Sequence, residues 1–511
     1  MTTPRSTDSS PLSDPPDPAD ATDMADPSLS PQDSRRWLAL GVIALAQLMV
    51  VLDASIVNIA LPSAQRDLGI TDADRQWVVT AYTLTFGGLL LLGGRIADYA
   101  GRKRAFIIGL LGFAGASALG GIAPSQGWLF AARGLQGAFA ALLAPAALSL
   151  ITVTFTHSKE RARAFGVYGA IAGGGAAIGL IVGGVLTEYT SWRWCLGVNV
   201  PIALIAAGLA VPFVHESKAH GNTHYDVPGA VTATVGLVTL VYGITKAGTD
   251  GWLSPVTIGL FVVSLVLLGA FLVIENRTAN PLLPMRILAD RNRSGSYAAM
   301  FLTAAGLFAM FLFLSYYLQG TLGFSALKSG FAFLPFSLGI IVSAGVASQL
   351  LPKFGPRPLA FTGLMMATVG MLWLSRITPT SEYQTHVLPS MVVMSLGMGL
   401  TFVPLSSTAL FGVANHDAGV ASALLNTSQQ IGGSLGTALL NTLAATATAS
   451  YIVANAGPTV PNVAQEGVVH GFSVAFLVGA AILATAAFVV LIAINATRAH
   501  LAQHDVAVAP A

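Results

Sequence analysis

The chain has 511 residues, of which 54% are hydrophobic and only 9% are charged. Soluble domains carry about 25% charged residues, so this composition excludes a soluble globular protein and indicates an integral membrane protein. The formal net charge is +2, but seven of the 23 acidic residues fall within the first 34 positions, which leaves the rest of the chain clearly basic. The single cysteine, Cys195, cannot form an intramolecular disulfide and supports no metal cluster.

Both ends of the chain differ in composition from its middle. Residues 1–34 are rich in Pro, Ser, Asp and Thr, which is typical of disordered segments. No basic region there leads into a short apolar core with a cleavage site, so the stretch is not predicted to be a signal peptide. We expect residues 1–34 to form a disordered cytoplasmic tail and residues 498–511 to form a second cytoplasmic tail.

Fourteen apolar runs between the tails are long enough to cross a bilayer, which requires about 20 residues. The sequence therefore predicts an all-α integral membrane protein with fourteen transmembrane helices. The seventh and thirteenth runs have the weakest apolar character. The runs are roughly 37–61, 75–97, 104–123, 128–152, 163–187, 193–214, 227–247, 253–275, 294–318, 328–351, 357–376, 386–411, 419–446 and 471–496.

Lys and Arg residues are distributed unequally between the two faces that these runs define. Eighteen lie on the face that carries both termini and six on the other, with Arg133 left inside a run. Cytoplasmic loops of membrane proteins carry such an excess of basic residues. We therefore expect a multi-pass protein of the plasma membrane with both termini in the cytoplasm, and we interpret the basic charge as topology rather than as a nucleic-acid site.

A faint internal repeat indicates how the helices are grouped. Gly101-Arg102-Lys103 follows the second run, and Gly355-Pro356-Arg357 follows the tenth, 254 residues later. This offset corresponds to six helices plus an extra two. We therefore expect a six-helix half at 35–226, an inserted pair of helices at 227–275 and a second six-helix half at 276–497. Two halves around a midplane site are a recurring plan of secondary transporters.

Asp53 lies inside the first apolar run, where a charged side chain is costly and is usually functional. Arg133 lies inside the fourth run, and helical geometry places both residues roughly 22–25 Å from the cytoplasmic surface. At this common depth the two side chains can pair or share a water network. Our hypothesis is that Asp53 carries a proton and that Arg133 tunes its proton affinity. The alternative is a static ion pair that holds two helices together.

A second charged stretch, GGRIADYAGRKR at 93–104, ends one run and begins the next. Asp98 lies beside the basic residues Arg102 and Lys103, and Gly101 suits a tight turn. The stretch has the composition of a charge latch that holds the two halves together and releases them. The alternative is ordinary anchoring by positive charge on the cytoplasmic face.

This stretch resembles the G-x-L-a-D-r-x-G-r-k/r signature of the major facilitator superfamily. The matching positions are Gly94, Asp98, Gly101, Arg102 and Lys103. Three further motifs resemble those of its fourteen-helix drug:proton antiporters of the EmrB/QacA kind: LDASIVNIALP at 52–62, RGLQG at 133–137, and the stretch from TEY at 187–189 to NVP at 199–201. The resemblance covers about residues 37–496 and implies a two-half transporter bundle that exchanges drugs for protons.

One motif departs from the pattern of that branch. Its fifth helix usually contains G-P-x-x-G-G, whereas this chain has Gly179, Gly183 and Gly184 with Leu180 in place of the proline. The resemblance implies that these glycines belong to an antiporter motif, but Leu180 does not impose the backbone bend that a proline would produce. The alternative interpretation is that the glycines allow close helix packing.

Polar side chains within the apolar runs are candidates for a substrate cavity. On the thirteenth run, Gln429 and Gln430 follow Asn426 by three and four residues and so lie near its face of the helix. Asn58 and Gln136 are candidates on the first and fourth runs. Hydrogen bonds between helices explain such residues as well as substrate contacts do.

These observations predict a secondary active transporter that exports amphipathic drugs or natural products across the plasma membrane in exchange for protons. A dedicated exporter of one endogenous metabolite or lipid is the alternative, and a transport-inactive membrane sensor is a weaker one. No P-loop or other enzyme motif is present, so we expect no enzymatic activity, no metal and no cofactor besides the proton motive force. The expected partners are a small amphipathic substrate, protons and the lipid bilayer. The oligomeric state stays open, and a monomer is compatible with the sequence.

Overall fold

The computed structural model describes residues 31–155, 158–218, 226–278, 281–283, 285–411, 413, 418–455 and 462–495. The predicted tail 498–511 and residues 1–30 of the other predicted tail lie outside this part of the chain. Residues 31–34 form the first turn of a helix.

The regular structure of the described residues is entirely helical. Several helices begin at a residue whose side chain accepts a hydrogen bond from the first turn, as at Ser125, Ser254 and Ser325. The helices of the first part are α1 (Pro31–Leu68), α2 (Trp77–Ala100), α3 (Arg102–Gly121), α4 (Gln126–Thr154), α5 (Ser158–Tyr189), α6 (Trp194–Gly197) and α7 (Asn199–Phe213).

Helices α8 and α9 follow along the chain, and α10 to α17 form the last part. They are α8 (Val227–Asp250), α9 (Pro255–Arg277), α10 (Met285–Leu288), α11 (Arg291–Tyr316), α12 (Ala326–Ala332), α13 (Leu334–Phe354), α14 (Pro356–Leu374), α15 (Leu388–Leu410), α16 (Ala418–Asn455) and α17 (Val463–Ala493). A π-helical turn extends α11 over Tyr317–Thr321, and another precedes α15 over Tyr383–Val387.

The helices confirm the predicted fold class. Thirteen helical stretches in the described residues are long and apolar enough to cross a membrane, with α6 and α7 forming one stretch and α12 and α13 another. The described apolar part of α5, Gly175–Tyr189, is shorter, but the whole helix has 32 residues. The thirteen stretches and α5 make fourteen spans, one for each predicted run.

The spanning helices pack as two bundles with a separate pair beside them. Helices α1 to α7 contact one another, and so do α11 to α17. Helix α8 packs against α2 of one bundle and α16 of the other, whereas α9 packs mainly against α8. Large apolar side chains on α9, such as Leu265 and Val266, are exposed, as expected for a surface that faces lipid. The residue boundaries of the predicted division stay predictions.

The bundle has two faces, which we name by the chain ends. The terminal face is the one where α1 begins and α17 ends, and the opposite face is the distal face. On the distal face, the Gln319 amide donates to the Ile59 carbonyl at 3.1 Å, and the Arg75 Nε donates to Asn441 Oδ1 at 3.0 Å. Both hydrogen bonds join the first bundle to the second, so the halves are closed against each other on this face.

Candidate proton and substrate sites

Asp53 lies fully buried in the middle of α1 and accepts three hydrogen bonds from the first bundle. Arg133 Nη1 donates to its Oδ2 at 2.7 Å, and Asn199 Nδ2 donates to its Oδ1 at 2.7 Å. Gln136 Nε2 donates to the same Oδ1 at 3.2 Å. Two amides and one guanidinium therefore surround a carboxylate that has no contact with solvent.

The guanidinium group of Arg133 makes further contacts besides the one to Asp53. Its Nη1 also donates to Gln136 Oε1 at 2.8 Å, and its Nε donates to the Val78 carbonyl at 2.9 Å. The guanidinium carbon lies 4.5 Å from the ring centroid of Tyr82, a cation–π contact. The predicted proximity of Asp53 and Arg133 is thus present as a buried ion pair, while the proton-carrying role of Asp53 stays a prediction.

Close approach of α2 and α4 makes this cluster possible. A Cβ atom on Gly137 would lie 2.2 Å from the Tyr82 carbonyl oxygen, so only glycine fits at this crossing. The crossing brings Tyr82 and Val78 of α2 against Arg133, one helical turn before Gly137. The whole cluster, including Ser117 of α3, which accepts from Gln136 Nε2 at 2.6 Å, belongs to one bundle. A rigid movement of the two halves would leave its contacts intact.

The glycines of α5 lie against α1 at the level of Asp53. A Cβ on Gly179 would lie 2.8 Å from the Ser55 Cβ, and one on Gly183 would lie 2.8 Å from the Ile56 Cγ1. These residues occupy successive turns, so together they form a smooth groove for α1. The close helix packing expected for this motif is therefore observed at Gly179 and Gly183. Its antiporter role stays a prediction.

The opposite side of α5 forms a contact with the second bundle. A Cβ on Gly184 would lie 2.6 Å from the Leu327 Cα, and one on Gly330 would lie 2.4 Å from the Leu180 carbonyl oxygen. Near the end of α5, Glu188 accepts from the Leu327 backbone amide at 2.9 Å. Leu180, which stands where the related motif has proline, is buried in this interface. Helix α5 thus touches α1 with one face and α12 with the other.

The predicted latch forms a tight turn on the terminal face. Arg102 Nε donates to Asp98 Oδ1 at 2.9 Å, one helical turn earlier. Glu216, which follows α7, accepts from the backbone amides of Lys103 and Arg104 at 3.1 and 3.3 Å. These contacts lie within the first bundle. Those of Gly94 do too, since a Cβ there would lie 3.4 Å from the Pro145 Cβ. The latch between the halves stays a prediction.

A different residue of this stretch reaches the second part of the chain. Arg95 Nη2 donates to the Pro281 carbonyl at 3.4 Å, in the segment that leads from α9 to α10. Arg95 directly follows Gly94, the first matched position of the signature, but is not itself a matched position. A search for the signature alone therefore does not identify it.

We expect Gly101→Ala to destabilise the terminal face by about 1–2 kcal/mol. Gly101 has φ of 119°, where a side chain is strained, and a Cβ would lie 2.8 Å from Glu216 Oε1. The substitution therefore displaces the carboxylate that caps α3. Thermal unfolding of the purified protein measures the effect. Gly115→Ala within α3, the helix that follows Gly101, has no atom within 4 Å of its new Cβ and should leave stability unchanged or slightly higher. Equal effects of both substitutions would contradict the prediction.

The candidate cavity residues fall into two groups. Asn58 is half-buried and Asn426 is exposed, and each amide donates to the carbonyl four residues earlier on its own helix, at 3.1 and 3.2 Å. Gln136 is instead buried and donates to Asp53, so it belongs to the cluster around Asp53 rather than to an open surface. Gln429 and Gln430 are half-buried on α16. The substrate contacts of all five stay predictions.

Several residues of these sites were not singled out as functional by the sequence. Asn199 was noted only as part of a motif, although its amide is one of the shortest contacts of Asp53. Ser117 was visible as an isolated polar residue in an apolar run. Gly330 had no distinguishing signal, because its importance depends on where Leu180 lies. No group of three or more His, Cys, Asp or Glu that could hold a metal ion occurs in the described part of the chain.

Comparison with known proteins identifies the family. A family model described as Major Facilitator Superfamily matches residues 43–437. The chain belongs to the Major Facilitator Superfamily. The family predicted from the motifs at 52–62 and 93–104 is thereby confirmed, and the all-helical bundle described above agrees with it.

Individual members of the superfamily cover most of the chain. It is 50% identical over 457 residues to the puromycin resistance protein pur8 of Streptomyces alboniger, covering 88% of this chain and 90% of that protein. It is 39% identical over 414 residues to the cephamycin export protein CmcT of Amycolatopsis lactamdurans, covering 80% and 85% of the two chains.

A solved structure supports the fold independently of sequence. A bacterial homolog of the human lysosomal transporter Spinster matches with a TM-score of 0.62 at 16% identity, covering 90% of this chain and 96% of that one. At this level of identity the match shows the superfamily fold alone.

Proposed function

We propose that this protein is a proton-coupled exporter of amphipathic natural products and drugs, with Asp53 as its proton carrier. The observation that carries the proposal is the buried Asp53–Arg133 pair at 2.7 Å in a superfamily transporter. The protein would lie in the plasma membrane with its terminal face in the cytoplasm. The excess of Lys and Arg on that face supports this orientation.

The Asp53 cluster is suited to two protonation states. In the charged state, Arg133 balances the carboxylate, and the amides of Asn199 and Gln136 donate to it. A protonated Asp53 would need an acceptor, and Asn199 Oδ1 is a buried oxygen without a hydrogen-bond partner among the described residues. Rotation of the Asn199 amide would present this oxygen to the acid. Because an amide can both donate and accept, one residue would serve both states.

Helix α5 provides a path from the moving halves to this cluster. Movement of α12 against Gly184 and Leu180 would shift α5, and Gly179 on its other face would shift α1 beside Ser55. Asp53 lies two residues before Ser55 on α1. A change in the α5–α12 contact would therefore alter the distance between Asp53 and Arg133, which would couple the movement of the halves to the proposed proton carrier.

The named relatives suggest the substrate class. A puromycin resistance protein and a cephamycin export protein cover four fifths or more of this chain. We therefore propose that substrates are antibiotics or similar natural products, with puromycin as the first probe. Export of a single endogenous metabolite or lipid is the second candidate, and transport of one such compound but of none of the drugs tested would favour it.

Transport of labelled puromycin into inverted membrane vesicles tests the proposal. We expect uptake when the vesicle interior is acidified, and loss of uptake when a protonophore collapses the pH gradient. Vesicles without the protein are the control. Uptake that continues without a gradient, or that requires ATP, would overturn proton coupling. Absence of uptake for puromycin and for a panel of other drugs would favour the dedicated exporter.

A further inference from the structure

Two buried carboxyl groups lie together at the end of the α8–α9 pair that belongs to the terminal face. Asp226 directly precedes α8, and Glu275 lies in the last turn of α9. The two carboxyl groups are within hydrogen-bonding reach of each other, and Asp226 is only 5% exposed and Glu275 only 3%. Acidic residues are almost never buried to this extent without an opposite charge, yet both members of this pair are acids.

Each of the two carboxyl groups has one oxygen bound by the backbone and one left over. Asp226 Oδ1 accepts from the Gly229 backbone amide at 2.8 Å, and Glu275 Oε2 accepts from the Leu283 backbone amide at 2.9 Å. The remaining oxygens, Asp226 Oδ2 and Glu275 Oε1, are buried and have no hydrogen-bond partner among the described residues. Because an ionised carboxylate only accepts, two carboxyl groups can bond to each other only when a proton lies between them.

The surrounding elements do not neutralise this pair. Of the charged groups in the described residues, Asp226 is the one whose charge acts on Glu275. Arg95 on α2 donates to a backbone carbonyl instead, and Arg277 on α9 and Arg286 on α10 are exposed. Helix α16, which also packs against α8, contains no charged residue. Two adjacent buried carboxylates repel each other strongly, so the pair favours a state that shares one proton.

The carboxyl pair is attached to the segment between α9 and α10. Glu275 holds this segment through the Leu283 amide, and two residues earlier the Pro281 carbonyl accepts from Arg95 of the first bundle at 3.4 Å. Leu282, between these two contacts, is buried. Repulsion between two ionised carboxylates would move Glu275 away from its partner and would strain both contacts of the segment.

We infer that Asp226 and Glu275 form a second proton-binding site, separate from the Asp53 cluster, which fastens the segment between α9 and α10 while the proton is bound. The proton would lie on Glu275 Oε1 and be donated to Asp226 Oδ2. Loss of the proton leaves two adjacent negative charges and releases the segment. With the terminal face in the cytoplasm, as proposed above, the site would respond to cytoplasmic pH.

Infrared spectroscopy of the purified protein in nanodiscs tests whether the proton is present. A protonated carboxyl group has a C=O absorption that an ionised one lacks, and we expect one such band to disappear as the pH is raised from mildly acidic to alkaline. Glu275→Gln should remove this band at every pH. Asp226→Asn should remove it at neutral pH, because the asparagine amide can donate to an ionised Glu275 without a proton.

Asp290→Asn is the matched control for Asp226→Asn. Asp290 also caps a helix, since its Oδ1 accepts from the Arg293 backbone amide at 2.9 Å, but it is half-buried and its carboxylate pairs with the Arg293 side chain. The substitution should therefore leave the band and its pH dependence unchanged.

Hydrogen exchange of the peptide that contains Leu282 and Leu283 tests the release of the segment. Glu275→Gln keeps an acceptor for the Leu283 amide and a donor for Asp226 at every pH. The parent protein should exchange as slowly as this variant at mildly acidic pH. Above the midpoint it should exchange faster than the variant at the same pH, by about tenfold for each further pH unit, because release accompanies the loss of one proton.

Three results would overturn the inference. They are a carboxyl band that survives in Glu275→Gln, equal exchange by the parent protein and Glu275→Gln at alkaline pH, and protection of the segment that follows the concentration of Na⁺ or Mg²⁺ rather than pH. The last result would mean that a metal ion, and not a proton, joins the two carboxylates. None of these measurements involves transport, so a failure of puromycin uptake would count against the proposed function alone.

Discussion

Asp53→Asn is expected to reduce pH-driven puromycin uptake to the background of empty vesicles. The substitution keeps one carbonyl oxygen, which can replace Oδ2 as acceptor for Arg133 or Oδ1 as acceptor for Asn199 but not both, and it removes the group that takes up a proton. Exchange of labelled for unlabelled puromycin without a pH gradient requires no net proton movement, so it should persist. Driven uptake and exchange are measured in the same vesicles. Loss of driven uptake with exchange intact indicates loss of proton coupling, whereas loss of both indicates that no folded transporter is present.

Asp53→Asn leaves the buried charge of Arg133 without its partner, so a second variant that removes both charges is needed. Removing one partner of a buried ion pair costs about 3–5 kcal/mol, so Asp53→Asn could fail to fold. The pair Asp53→Asn with Arg133→Gln removes both charges and should fold while still lacking driven uptake. Asp67→Asn is the matched control, because Asp67 lies on the same helix but is half-exposed and pairs with Arg193 at 3.0 Å. Driven uptake by a folded Asp53→Asn protein would show that the ion pair is only structural.

Gly330→Leu is expected to open the distal face. Even a Cβ at this position would lie 2.4 Å from the Leu180 carbonyl oxygen, and overpacking a tight contact costs about 1–3 kcal/mol. Helix α12 would therefore separate from α5, and Glu188 would lose the Leu327 amide. In a Gln319→Cys background, labelling by an impermeant maleimide should become about tenfold faster, and puromycin export should be lost because the distal face no longer closes.

The second bundle offers a matched control for this substitution. Gly345 lies on α13, in the same span, and a Cβ there would have no atom within 4 Å. Gly345→Leu should therefore leave both the labelling rate and export at the level of the parent protein. The buried Cys195 keeps background labelling low in all variants. If Gly330→Leu and Gly345→Leu label at the same rate, the α5–α12 contact does not hold the distal face closed.

Much of the architecture follows from the sequence alone. A run of about 20 apolar residues has to cross the bilayer as a helix, so the fourteen spans could be counted before any helix was seen. The fixed rise of a helix also placed Asp53 and Arg133 at one depth, and a buried carboxylate needs a partner. Their ion pair at 2.7 Å therefore followed from two local rules.

Tertiary structure decided which other residues join them. Gln136 was expected beside a substrate, but the rotation of α4 turns it toward Asp53. Asn199 reaches the same carboxylate from α7, 146 positions along the chain. Hydropathy along a nearly all-apolar helix does not encode which side faces a neighbour, and so these contacts could not be predicted from the sequence.

The contacts between the halves depend on tertiary structure even more strongly. Gly330 matters because the Leu180 carbonyl lies against it, and a cavity opens on the distal face because α1, α11 and α17 meet around Arg66 and Tyr316. Each of these residues is ordinary within its own run. The sequence by itself determined a fourteen-span membrane bundle with a buried acid and its cation, because bilayer thickness and charge burial act on each helix separately. Only the packed structure decided the cluster around Asp53 and the closed distal face, because these arise from the approach and rotation of distant helices.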